Sequence, residues 1–189
     1  MSDVQRPKSL AVSKETMDSI NRKGLKRPKD ATMKGMGDES DTTYTWTEYL
    51  KVVGADVQYA KDNSDVLVFS VKVRIPDDSP YPTNIGEQDV IYLRVNEKAV
   101  NDPKHDEHQR TGWSLRDLTS LIRACGFVIE RGDVDFVPFF LTPSGGQFPP
   151  LVGANIFARI IDKPGKDKST GDDTRYQNYS KFLSKDAGK

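Results

Sequence analysis

The chain has 189 residues, 28 Lys/Arg against 28 Asp/Glu, a formal net charge of zero and a single cysteine, Cys125. That length suits one domain with tails, one cysteine excludes an internal disulfide framework and a thiolate zinc site, and neutrality argues against a surface given over to neutralising phosphates. The charge is unevenly spread: residues 1–36 carry nine basic against four acidic side chains, residues 155–189 eight against five, and the centre 11 against 19, so a local basic groove is allowed.

Residues 1–42 are rich in Lys, Arg, Asp, Ser, Met and Gly and show no sustained apolar period, which predicts a disordered basic arm. Tyr44–Tyr59 is rich in Thr, Tyr, Trp and Val and reads as a strand, with Gly54 marking a bulge or sharp bend. Val66–Ile75 (VLVFSVKVRI) is the clearest strand: Leu67, Phe69, Val71, Val73 and Ile75 share one face, and Ser70, Lys72 and Arg74 the other. Pro76–Gly86 is a turn-rich loop. In Val90–Asn96, Ile91, Leu93 and Val95 point one way and Tyr92, Arg94 and Asn96 the other, while Asn101–Arg110 is polar. A helix follows, with Ser114 as N-cap, Asp117 three residues on, an apolar stripe of Leu115, Leu118, Leu121, Ile122 and Cys125, and Gly126 placed to end it. Phe127–Pro150 is irregular. Two further strands, around Ile156–Ile161 and Arg175–Phe182, flank a Lys/Asp/Gly/Ser/Thr loop, and Ser184–Lys189 reads as a flexible end.

Three strands, a helix and two strands is the order of an OB-fold, a small five-stranded, partly open barrel. The expected class is therefore mainly β, an OB-fold-like barrel over residues 43–183 with its helix between the third and fourth strands. Another α+β domain, or a sandwich carrying one helix, fits the same order. In an OB-fold the second and third strands supply the oligonucleotide face, flanked by the first–second and fourth–fifth loops, here Lys61–Asp65 and Lys163–Thr174. Lys72, Arg74, Tyr92 and Arg94 then share the solvent face. Cations suit phosphates and a ring suits a base, so the group fits single-stranded DNA. The last strand mixes cations and aromatics in the same way (Arg175, Tyr176, Tyr179), although strand alternation puts Tyr176 and Tyr179 on opposite faces. Lys166 and Lys168 lie in the loop before it.

Other patterns carry less. His105 and His108 (HDEH) lack a further ligand and read as a solvated loop. KPGKDKSTG has the composition of a phosphate loop without its order. Arg131-Gly132-Asp133 is a chance tripeptide, and Asn178-Tyr179-Ser180 a glycosylation sequon without secretory context. Cys125 reads as packing. With no base, nucleophile or metal cluster in view, no enzyme and no cofactor are expected.

The helix SLRDLTSLIRACGF, the downstream PLVGANIFARI and the closing RYQNYSKFL resemble phage-encoded single-stranded-DNA-binding proteins of the OB type, over about residues 44–183. The resemblance implies DNA contacts at Lys72, Arg74, Tyr92, Arg94, Arg159, Arg175, Tyr176 and Tyr179. It also implies a role in replication or recombination, with proteins of those processes as partners. A virion structural or assembly protein and an OB-type protein-interaction module remain alternatives, and self-association stays open. No apolar run approaches the roughly 18–20 residues that cross a bilayer, and MSDVQRPKSLAVSKE lacks the apolar core of a signal peptide. The expected location is the cytoplasm of a host cell or the inside of a virion, without a membrane partner.

Overall fold

The computed structural model describes residues 31–34, 42–80, 84–129, 135–167 and 169–185. The arm expected over residues 1–42 lies outside the described residues except for 31–34 and Thr42. Lys168, the Arg131–Asp133 tripeptide and residues 186–189 lie outside them as well. The elements run β1 (Thr32–Lys34), β2 (Thr43–Ala60), β3 (Asn63–Arg74), β4 (Gln88–Asn96), α1 (Glu97–Val100), α2 (His108–Ala124), a 3-10 turn (Val137–Phe139), β5 (Asn155–Lys166) and β6 (Asp173–Ser184). The class is mainly β with one substantial helix, between the third and fourth of five long strands.

β2 is 18 residues long and changes partner midway. From Tyr44 to Lys51 it pairs with β5, and from Lys51 to Ala60 with β3, all antiparallel. The sheet order is β4-β3-β2-β5-β6, with β1 beside the start of β2. The register slips between Val52 and Gly54, which is the bend that Gly54 announced. An added Cβ at Gly54 would stand 3.4 Å from the Cβ of Lys72, so β2 and β3 cross closely there.

Period-two alternation sets the core. Tyr44, Trp46, Leu50 and Val52 of β2, Phe69, Val71 and Val73 of β3, Ile91, Leu93 and Val95 of β4, and Ile156, Ala158 and Ile160 of β5 are all buried. Each large apolar side chain removed from water contributes about 1.5–3 kcal/mol. Leu118, Leu121 and Ile122 of α2 close over the same cluster, joined by Phe140 and Leu151 from the irregular segment. Gly126 ends α2 as expected: its φ of 92° is a left-handed conformation, and its N–H donates to Arg123 O at 2.9 Å.

The helix does not start at Ser114. It starts at His108 with Glu107 at the cap position. Tertiary contacts carry it upstream through Gly112. Thr111 is buried and its Oγ1 accepts the Asn96 N–H at 3.4 Å, and His108 Nδ1 sits 2.6 Å from Ala99 O. The polar Asn101–Arg110 stretch is thus partly helical, and His105 Nδ1 accepts the Glu107 N–H at 3.1 Å. The short α1 gave no period to read; Asn96 nucleates it by accepting the N–H groups of Lys98 and Ala99.

The sheet path ends at β4 and β6, and among the described residues no ladder joins them. Two features span the gap. Helix α2 packs on both strands, with Ser120 Oγ donating to Phe182 O at 2.9 Å. The Tyr179 hydroxyl of β6 donates to Asp89 Oδ2 of β4 at 2.6 Å.

Glu48 of β2 acts on the same tyrosine electrostatically and is itself fully buried. Its carboxylate accepts Ser79 Oγ at 2.8 Å, Asn84 Nδ2 at 3.2 Å and the Tyr49 N–H at 3.1 Å, so it ties the β3–β4 loop to the core strand. The nearby Trp46 indole N–H is buried and closes no hydrogen bond of normal geometry. Burial raises the Glu48 pKa above the usual carboxylate value, and the hydrogen bonds offset only part of that. The native state therefore keeps a proton that the unfolded state has already lost in the window above the ordinary value of 4.5, and this group's contribution to stability falls as pH rises through that window. Glu48→Gln should accordingly gain stability relative to the unsubstituted protein between about pH 4 and about pH 8, read from urea midpoints at each pH. A difference between the two proteins that stays constant with pH would contradict the burial of a titrating carboxyl.

Candidate nucleic-acid interface

The outward positions of β3 and β4 follow from their register. Arg74 faces Gln88, Lys72 faces Val90, Ser70 faces Tyr92 and Val68 faces Arg94. Lys72, Arg74, Tyr92 and Arg94 are all exposed, Tyr92 to 65%. Tyr92 and Lys72 are diagonal neighbours, about 7–8 Å apart on the same face. These four side chains, read from two separate strands in sequence, form one surface turned away from the α2-covered core.

Arg94 makes an exposed pair with Asp62 at 3.3 Å. Such a pair is worth about 0–1 kcal/mol, so a phosphate can take its place at small cost. Two residues went unnoticed in sequence. Lys51 is exposed on the outer face and lies opposite Arg74 on one side and Asn155 on the other, which extends the row of cations. The outward position was legible from the Leu50/Val52 alternation, whereas the pairing depended on where β2 changes partner. Asp56 is exposed opposite Ser70 on the same face and places one negative charge beside the cations.

The β5–β6 hairpin carries a second group. Lys163 faces Tyr176, Ile161 faces Asn178 and Arg159 faces Ser180, all outward. Tyr176 lies across Gly165, where an added Cβ would meet ring atom Cε2 at 2.4 Å. Its hydroxyl donates to Lys166 O at 2.5 Å, and the ring is 40% exposed. A side chain at 165 would displace the Tyr176 ring, which lies against this glycine and stays partly exposed to solvent. Lys163 was absent from the sequence-derived set; aligning the hairpin about its loop would have placed it across from Tyr176. Lys166 pairs with Asp173 at 3.5 Å, both ends exposed.

Arg175 and Tyr179 face the other way. Arg175 Nε donates to Asp162 Oδ1 at 2.8 Å, its Nη2 donates to the carbonyls of Thr42 and Asp162, and the guanidinium stacks over the Tyr44 ring at 5.2 Å. Tyr179 is held by Asp89, and its hydroxyl is pushed far toward the protonated form by burial first and by the neighbouring Asp89 and Glu48 charges next. Both residues are committed to contacts inside the protein.

Cys125 is partly buried at the C-terminal cap of α2, and desolvation pushes its thiol up to about 12, so the thiolate nucleophile is not formed at neutral pH. Among the described residues no group of three or more His, Cys, Asp or Glu side chains could hold a metal ion, and no helix is long and apolar enough to cross a membrane. No protein-family model matches the chain, and no curated protein sequence is significantly similar to it.

Removing Arg175 leaves the buried Asp162 carboxylate without its partner. Arg175→Ala should lower stability by about 2–4 kcal/mol in urea titrations, the usual range for breaking a shielded charged hydrogen bond. A substitution that leaves the urea midpoint in place would show that the guanidinium is free.

Proposed function

We propose that this chain is a non-enzymatic single-stranded-DNA-binding protein that supports phage-type replication or recombination. The observation that carries the reading is that Lys51, Lys72, Arg74 and Arg94 share one outer sheet face with the exposed ring of Tyr92, which has Lys72 and Arg94 as its nearest cations. Cations track the phosphate backbone and a ring stacks on a base whatever its identity, which gives binding with little sequence preference. The reading takes the open path β4-β3-β2-β5-β6 as a partly open OB-like barrel, its ends bridged by α2 and by Tyr179–Asp89. The β2–β3 turn at Lys61–Asp62 and the β5–β6 loop then flank the groove. Tyr176, with Arg159, Lys163 and Lys166, supplies a further platform on the hairpin. Arg175 and Tyr179 serve the fold rather than the DNA. The protein works in the cytoplasm of the host cell.

Titration of fluorescently labelled oligo-dT tests the proposal. Four phosphate contacts predict a slope of log K against log salt of about −3, and Arg74→Ala should reduce its magnitude by about 0.7. Loss of one stacked base in Tyr92→Ala should cost about 1–3 kcal/mol, roughly 5- to 150-fold in affinity. Absence of salt-dependent binding, or variants that bind like the unsubstituted protein, would overturn the assignment and favour an assembly or protein-interaction role.

A further inference from the structure

Away from the Lys72–Tyr92 face, α2 and the end of β6 enclose a groove of about 480 Å³. Arg116, Ser120 and Arg123 line it from the helix, and Phe182, Leu183 and Ser184 from the strand. β6 is the last strand of the sheet, and among the described residues no strand pairs on its far side. The main chain turns toward the groove here, since Phe182 O accepts the Ser120 hydroxyl. Leu183 is 56% exposed, a large apolar side chain left in solvent beside that edge.

Among the described residues the charge of the groove is one-sided: Arg116 and Arg123 are both exposed, no acidic side chain is among the lining, and Arg123 spends one nitrogen on Ile129 O at 3.3 Å. Seven helical residues separate the two arginines, about 10 Å along the axis, a span that an extended chain covers in three or four residues. An unpaired sheet edge is where an extended peptide lies alongside, although Phe182 O is already taken by Ser120; an exposed leucine offers an apolar anchor, and two guanidiniums offer forks for carboxylates. Nucleic acid fits less well, because among the described residues the groove's one aromatic lining residue, Phe182, is buried.

We propose that the α2–β6 groove docks an acidic, extended segment of a partner protein, with an apolar side chain of that segment against Leu183. DNA and partner would then occupy different faces, and the proposal stands or falls separately from the DNA reading.

Fluorescence anisotropy on the full chain tests it, using a panel of labelled ten-residue peptides that each carry several Asp or Glu around one Leu or Phe. Saturable binding with a Kd below about 100 μM is expected for members of the panel. The double substitution Arg116→Ala/Arg123→Ala should weaken it at least about five-fold, as should Leu183→Glu, which sets a like charge in the groove. All three sites are exposed, so urea midpoints should stay in place. Saturating oligo-dT should leave the peptide bound. If no peptide binds, if the variants bind as tightly as the unsubstituted protein, or if oligo-dT displaces the peptide, the groove is not the docking site: displacement would assign the peptide to the cations that hold nucleic acid.

Discussion

Everything in this sheet hangs on β2 serving two sets of partners. Its first half is hydrogen-bonded to β5 and its second to β3, and the two ladders overlap at Lys51 alone. A straight strand could not do this while keeping one face buried throughout. The register slip between Val52 and Gly54 resolves the conflict by inserting a residue, so even positions face the core before it and odd positions after it. Lys51, just before the slip, faces outward beside Arg74, and the slip turns Val57 inward opposite Phe69. The outer face with its cations exists because the inner face is continuous.

The open ends of the sheet are held by polar chemistry rather than by a ladder. Tyr179–Asp89 spans β6 and β4, Glu48 anchors the β3–β4 loop through Ser79 and Asn84, and Arg175 ties β6 to Asp162 and Thr42. Buried polar and ionisable groups are costly unless hydrogen-bonded, and these are. The outcome is a division of labour within one strand: in β6 the inward positions Arg175 and Tyr179 hold the fold, and outward Tyr176 lies against Gly165 and stays partly exposed to solvent.

The legible part of the fold was the part governed by alternation. Val68–Ile75 and Val90–Val95 announce their inner and outer faces, and so they gave Lys72, Arg74, Tyr92 and Arg94 as a set; the period also puts Asn96 on the outer face, where the structure instead buries it against Val66 and Thr111. The opposite faces of Tyr176 and Tyr179 followed from the same period. What stayed hidden depended on contacts across the fold. Glu48 sits at an inward position in a run of Thr, Tyr and Trp, and only the loop donors make its burial tolerable. The start of α2 at His108 rests on Thr111 meeting Asn96, which no local pattern encodes. Arg175 reads in sequence like any surface cation, and its use on Asp162 appears only once β5 and β6 are in register. Composition and spacing cannot distinguish an arginine reserved for phosphate from one already paired inside the protein.

The central claim is that the outer β3–β4 face, and not the inward side of β6, meets nucleic acid. Backbone and side-chain NMR shifts recorded while oligo-dT is added to the isotope-labelled full chain test it most directly. The account predicts the largest changes at Lys51, Lys72, Arg74, Tyr92 and Arg94, further changes at Tyr176, and little at Arg175 and Tyr179. Shifts concentrated at Arg175, Tyr179 or α2, with the outer β3–β4 face unchanged at saturation, would contradict it.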